Sequence, residues 1–234
     1  MNADESIDDL QMYALEELGK VGATYTCAAL SKLTKKMTVA RSTQCAVEPA
    51  TVLSVDMGRT GDSLVIVSID VNSAELSRIL MVFPGKVGAY VSDLMFSKET
   101  SDRSELEQDD LDAMVEMGDM CIREYLIPIT KFLGIEIMPE APSVIVDRIA
   151  EGHPVPAWVA ETMSHYPVRV ETRFECQDGS SVFDFSFFPD KATRALTFKK
   201  FGVDAEAQAE TFARLSQPEI LSPDGPEAES KKVE

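Results

Sequence analysis

Two histidines, one tryptophan and four cysteines in 234 residues leave this chain short of the usual metal ligands and disulfide partners. His153 and His165 stand twelve positions apart with no partner at ligand spacing, so they read as loop histidines and no metal site is expected. Cys27, Cys45, Cys121 and Cys176 are scattered without zinc or disulfide spacing. They read as reduced thiols of a cytoplasmic protein, with Cys27 and Cys121 on buried helix faces. No run approaches about 20 consecutive apolar residues, so no membrane-inserted helix is expected. The opening Met-Asn-Ala-Asp-Glu lacks the basic-then-apolar order of a signal peptide. Cations are also scarce: 22 Lys and Arg stand against 40 Asp and Glu, a formal charge of −18. The basic stripe that phosphate binding requires is missing, and nucleic acid is not an expected partner. Gly19-Lys20-Val21-Gly22-Ala23-Thr24 looks glycine-rich but lacks P-loop order and lies inside a helical pattern. No Cys/His or Ser/His/Asp arrangement of a nucleophilic enzyme stands out.

What the chain does have is 44% hydrophobic content, enough for a core, distributed in clear periodic segments. Ser6-Ile7-Asp8-Asp9 resembles a helix start, and Leu10, Ala14, Leu18, Val21, Tyr25, Ala28 and Leu33 then recur at three- and four-residue spacings. That predicts a helix over about 8–34, ended by the cations of Thr34-Lys35-Lys36. Gly19 and Gly22 lower helix propensity by roughly 1 kcal/mol each, so another element is expected to approach closely there. Strands are expected over 38–47, 51–57 and 63–71, with a hairpin loop at 58–62. Residues 73–83 read as helix, broken at Pro84-Gly85, and 86–96 as one or two further helical turns.

A polar linker, 98–108, contains the capping-box match Ser104-Glu105-Leu106-Glu107 and leads into a second long helix ending near Leu133, with Gly134 as its C-cap. Pro139 and Pro142 bracket a turn before a β-rich run at 143–149. The proline-rich stretch 153–167 looks irregular. A hairpin over 168–176 and 181–188 follows, then a helix over 191–201, a short charged helix over 204–215 and a disordered acidic tail, 216–234.

The two long helices echo each other. Glu17-Leu18-Gly19-Lys20 returns 99 residues later as Glu116-Met117-Gly118-Asp119. At the same offset Ala14 matches Ala113, Leu30 matches Ile129 and Lys32 matches Lys131. A fixed-offset match over about two dozen residues suggests a duplicated unit, with pseudo-repeats over about 8–97 and 105–203. Tyr13, Glu17 and Lys20 stand at i, i+4 and i+7, one helix face over about 10 Å of axis, and Asp112, Glu116 and Asp119 repeat the spacing.

The runs YALEELGKVGATYTCAALSKLTKK (13–36) and DAMVEMGDMCIREYLIPITKFLGIEIMPEAPSVIVDRI (112–149) resemble the two signature helices of the CheC family of chemotaxis proteins, and the likeness extends over roughly 8–203. It implies an α+β fold, a pseudo-symmetric duplicated unit with long helices on a shared, mostly antiparallel sheet. It also implies action on the phosphorylated response regulator CheY. In that family each motif has Asp or Ser, then Glu four residues on, then Asn three further, with a later proline. The Glu pairs with the regulator's lysine, and the Asn orients water for attack on the aspartyl phosphate. The regulator carries the Mg²⁺, so no cofactor of the chain's own is implied.

Here Glu17 and Glu116 hold the docking position and Asp112 the leading acid, while Tyr13 replaces the other leading acid. Lys20 and Asp119 replace the two Asn. Pro142 stands near the second motif's proline, and the first motif has none. The resemblance therefore implies a CheY-phosphate hydrolase with degraded catalytic positions, Glu116, Asp119, Glu17 and Lys20, and docking by Asp112, Glu116, Tyr13 and Glu17. The alternative is a non-catalytic adaptor binding CheY or the deamidase CheD. A motor-switch role like that of FliY ranks third.

Overall fold

Asp8 starts the first helix. Its carboxylate accepts from the Gln11 backbone N–H at 2.8 Å, and the Gln11 side chain accepts from the Asp8 N–H, closing a capping box ahead of α1 (Asp9–Thr34). The cap is thus Asp8, where Ser6 was expected; Ser6 itself lies outside the described residues. The computed structural model describes residues 7–47, 59, 61–72, 76–100, 103–149, 159–161, 166, 168–179 and 182–209. Within these, α1 leads to β1 (Thr38–Ala46), β2 (Ser63–Asn72), β3 (Leu76–Pro84) and α2 (Gly85–Met95). Then come α3 (Gln108–Leu133), β4 (Met138–Pro139), β5 (Ser143–Arg148), β6 (Arg169–Cys176), β7 (Val182–Phe188) and α4 (Lys191–Phe201).

One correction concerns β3. Residues 73–83 were expected as helix, but Leu76–Pro84 is a strand paired with β2 on one side and β7 on the other. Ile79, Leu80, Met81, Val82 and Phe83 are all buried, odd positions in one hydrophobic cluster and even positions in another. A strand buried on both faces reads as a continuous apolar run, and periodicity does not separate it from a buried helix. The start of α3 also differs: Glu107 is its cap, and the Glu107 N–H donates to Asp110 at 2.8 Å, three residues later than the Ser104 match. Residues 205–209 are helical, whereas 210–215, the tail 216–234, the strand expected at 51–57 and both histidines fall outside the described residues.

The seven strands form one sheet in the order β1-β6-β7-β3-β2-β4, with β5 also on β2, and every pairing is antiparallel. The order has a pseudo-two-fold logic. With the two-residue β4 set aside, the sequence helix, three strands, short helix occurs twice among the described residues, and the first strand of each set pairs with the second strand of the other: β1 with β6, β5 with β2. The third strands, β3 and β7, meet at the centre. α1 and α3 both span 26 residues and α2 and α4 both span 11.

The long helices lie on one sheet face. Met114, Met117, Cys121, Tyr125 and Ile129 of α3 join Leu18, Ala23 and Leu30 of α1 and Val65, Val67, Phe185 and Phe187 of the sheet in the main core. Glycines permit this approach, as expected for Gly19 and Gly22. A Cβ on Gly19 would fall 2.5 Å from Val170 Cγ1, and one on Gly22 would fall 2.6 Å from the Tyr125 ring. Thr26 Oγ1 donates to the Cys121 carbonyl at 3.2 Å. Gly22 against Tyr125 and Thr26 against Cys121 make the two helices antiparallel where they meet. Cys121 is fully buried and Cys27 only partly so, and burial pushes the Cys27 thiol up to about 11. Such thiols are poor nucleophiles.

Candidate functional site

Helical periodicity alone sets the two rows of polar residues. Ala14, Leu15, Leu18, Gly19 and Gly22 bury one face of α1, which turns Tyr13, Glu17, Lys20 and Thr24 outward. Ala113, Met114, Met117, Gly118 and Cys121 do the same for α3, which turns out Asp112, Glu116, Asp119 and Arg123. The helices are antiparallel, and Tyr13, Glu17 and Lys20 precede the α1 contact at Gly22 and Thr26 as Asp112, Glu116 and Asp119 precede the α3 contact at Cys121 and Tyr125, so the two rows lie on opposite sides of the crossing. They form two separate faces.

The wiring of the faces differs. On α1, Lys20 Nζ lies 2.7 Å from Glu17 Oε1 and 5.7 Å from the centre of the Tyr13 ring. The hydrogen bond that Lys20 donates to Glu17 raises the Lys20 pKa, so the ammonium stays charged and balances the Glu17 carboxylate. Thr24 turns its hydroxyl back onto the Lys20 carbonyl at 2.9 Å. Three of the expected site residues, Tyr13 (56% exposed), Glu17 and Lys20, are therefore brought together, but as a self-contained cluster, and Val21 and Tyr25 further along α1 are also exposed.

On α3 the cation sits one turn further along. Arg123 Nε donates to both Asp119 oxygens at 2.9 Å, and the hydrogen bond with Asp119 raises the arginine's pKa. Asp112 accepts from Gln108 Nε2 at 2.8 Å. Glu116 is exposed and makes no side-chain hydrogen bond or ion pair among the described residues. Sequence reading named Asp112, Glu116 and Asp119 but missed Arg123. The signal was present, an acid followed four residues later by a base. Pro142 lies in the connection between β4 and β5, at the sheet edge. No group of three His, Cys, Asp or Glu among the described residues could hold a metal ion, and none of the described helices is long and apolar enough to cross a membrane.

The chemical capacity of the faces follows from these contacts. A charged lysine donates only, so Lys20 cannot accept a hydrogen bond from an attacking water. Asp119 can accept one, but it brings a negative charge that Arg123 balances. Glu116 is the carboxylate of this row with neither a side-chain hydrogen bond nor an ion pair among the described residues, and it is open to a cation on a partner.

No family model and no curated protein matches the sequence. The fold does match solved structures. Thermotoga maritima FliY superposes with a TM-score of 0.63 at 16% identity, covering 84% of this chain and 98% of that one. A chain of the H. pylori FliG–FliM complex gives 0.51 at 8% identity over 83% and 98%. A chemotaxis protein, CheX from Desulfovibrio desulfuricans, gives 0.50 at 17% identity over 73% and 97%. The chain has a CheC-like fold. Within that CheC-like frame the exposed faces of α1 and α3 are the places where the two motif rows stand, one closed on itself and one open.

Proposed function

We propose that this chain is a chemotaxis signalling protein that docks the phosphorylated response regulator CheY on its α3 face. Glu116 pairs with the regulator's lysine, Asp112 flanks the contact, and Asp119 serves as a weak water-orienting acceptor for aspartyl-phosphate hydrolysis. The chain supplies no cofactor, since the Mg²⁺ of this chemistry belongs to the regulator. The observation that carries the reading is the contrast between Glu116, exposed and unpaired, and Glu17, neutralised by Lys20 at 2.7 Å. Docking on α1 through Tyr13 and Glu17 would first have to break that pair, and hydrolysis there lacks an acceptor at position 20.

Loss of a well-placed orienting group typically lowers a rate by about 10²–10³, so hydrolysis at α3 is expected to be slow. A non-catalytic adaptor for CheY or CheD is favoured over a fast phosphatase by the same residues, since neither third position offers a neutral amide. The test follows phospho-CheY decay with the wild type, Lys20→Asn and Asp119→Asn, beside direct binding. Binding with little acceleration, and faster decay with Asp119→Asn, is the expected result. Wild-type decay that neither substitution changes would sink the degraded-site reading.

A further inference from the structure

The replacement at position 119 poses a charge problem that its neighbour resolves. An asparagine amide offers an acceptor and a donor with no net charge. An aspartate offers acceptors only and adds a negative charge facing an anionic phosphoryl group. In this chain Arg123 continues the row 112-116-119 by one more step, is well exposed, and holds both Asp119 oxygens through Nε. The pair as a unit is neutral and carries both an acceptor and guanidinium donors. The other face lacks this device, because the pseudo-equivalent residue, Thr24, is bonded to the Lys20 carbonyl.

We propose that Arg123 is the phosphoryl-reading residue of the α3 face. It cancels the Asp119 charge and presents its remaining N–H groups to the regulator's phosphoryl oxygens, so that it sets preference for the phosphorylated over the unphosphorylated partner. Guanidinium suits that role, being permanently charged and planar, with several donors. This rests on the reading that α3 docks a phosphorylated receiver. Glu116 then supplies affinity that is indifferent to phosphorylation, through the regulator's lysine, and Arg123 supplies the discrimination.

The experiment measures binding of the full chain to purified CheY with Mg²⁺, with and without beryllofluoride as phosphoryl mimic, by titration calorimetry. Arg123→Ala is expected to weaken binding of the beryllofluoride form about tenfold, the size of one charge-assisted hydrogen bond, and to leave the untreated form unchanged. Asp119→Asn should strengthen the beryllofluoride form by leaving Arg123 uncompensated. The double substitution should return toward the wild type, and Arg123→Lys should recover part of the preference. Equal weakening of both forms by Arg123→Ala, or no change in either, overturns the assignment of Arg123. Glu116→Lys leaving both forms unaffected overturns the docking reading instead, and a wild type that binds neither form overturns both.

Discussion

At the scale of single residues, the glycines of the two long helices matter more than the charges. Gly118 faces Val67 of strand β2, and a Cβ there would lie 2.5 Å from Val67 Cγ1. Alanine normally improves a helix interior by about 1 kcal/mol over glycine. Here the contact is with a β-branched side chain in a packed sheet, which has little freedom to turn away. Overpacking of this kind costs typically 1–3 kcal/mol, so the clash decides the sign. Gly118→Ala is expected to lower stability by roughly 1–2 kcal/mol in urea denaturation, and adding Val67→Ala should recover part of the loss. A Gly118→Ala chain more stable than the wild type would contradict the close packing. The need for close approach at Gly19 and Gly22 was legible from the sequence, because glycine in a helix interior needs a reason. The partners, Val170 and Tyr125, were not, since they come from distant strands and the other helix.

Among the elements, the joint between α2 and α3 depends on one buried ionic cluster. Arg103 Nη2 donates to Asp93 at 2.9 Å and to Asp110 at 2.7 Å, and Ser92 Oγ donates to Asp110 at 2.7 Å. Both carboxylates are nearly inaccessible. The Arg103 guanidinium holds the Asp110 carboxyl well below the usual carboxylate range. Because the folded pKa is depressed, this contribution is complete above the unfolded value, about 3.9, and is lost as pH falls toward the folded one. Arg103→Ala takes the guanidinium away from two nearly inaccessible carboxylates and is expected to cost about 3 kcal/mol at pH 7. Below about pH 4 the gap between wild type and variant should narrow, since protonation relieves the stranded charges. A gap that stays constant from pH 7 to pH 3 in urea melts would count against the cluster. Reading 98–108 as a plain polar linker missed this, because a charged residue's burial depends on neighbours that sequence does not place. The helix-to-strand correction at β3 has the same origin: only the two flanking strands make Leu76–Pro84 extended.

For the whole molecule, the exchange of strands between the two sets of elements makes each half dependent on the other. β1 takes its ladder from β6 and β5 from β2, so either half alone presents unpaired strand edges and an uncovered apolar sheet face. Residues 7–97 and 103–209 produced separately are expected to lack a cooperative thermal transition and to regain one when produced together. A cooperative transition in either half alone would show that the exchanged pairing is dispensable.

The sequence by itself determined the long helices, their exposed motif rows and the closing hairpin, because these follow from local spacing and from the 99-residue echo between Glu17 and Glu116. It also determined that position 20 cannot accept a hydrogen bond and that position 119 brings a charge, since those are properties of lysine and aspartate wherever they stand. Only the tertiary structure decided that β3 is a strand, that Arg103 is a clamp, and that the two faces lie on opposite sides of a helix crossing. The reason is that periodicity reports which face of an element is apolar. It does not report what covers that face or which distant group neutralises a charge.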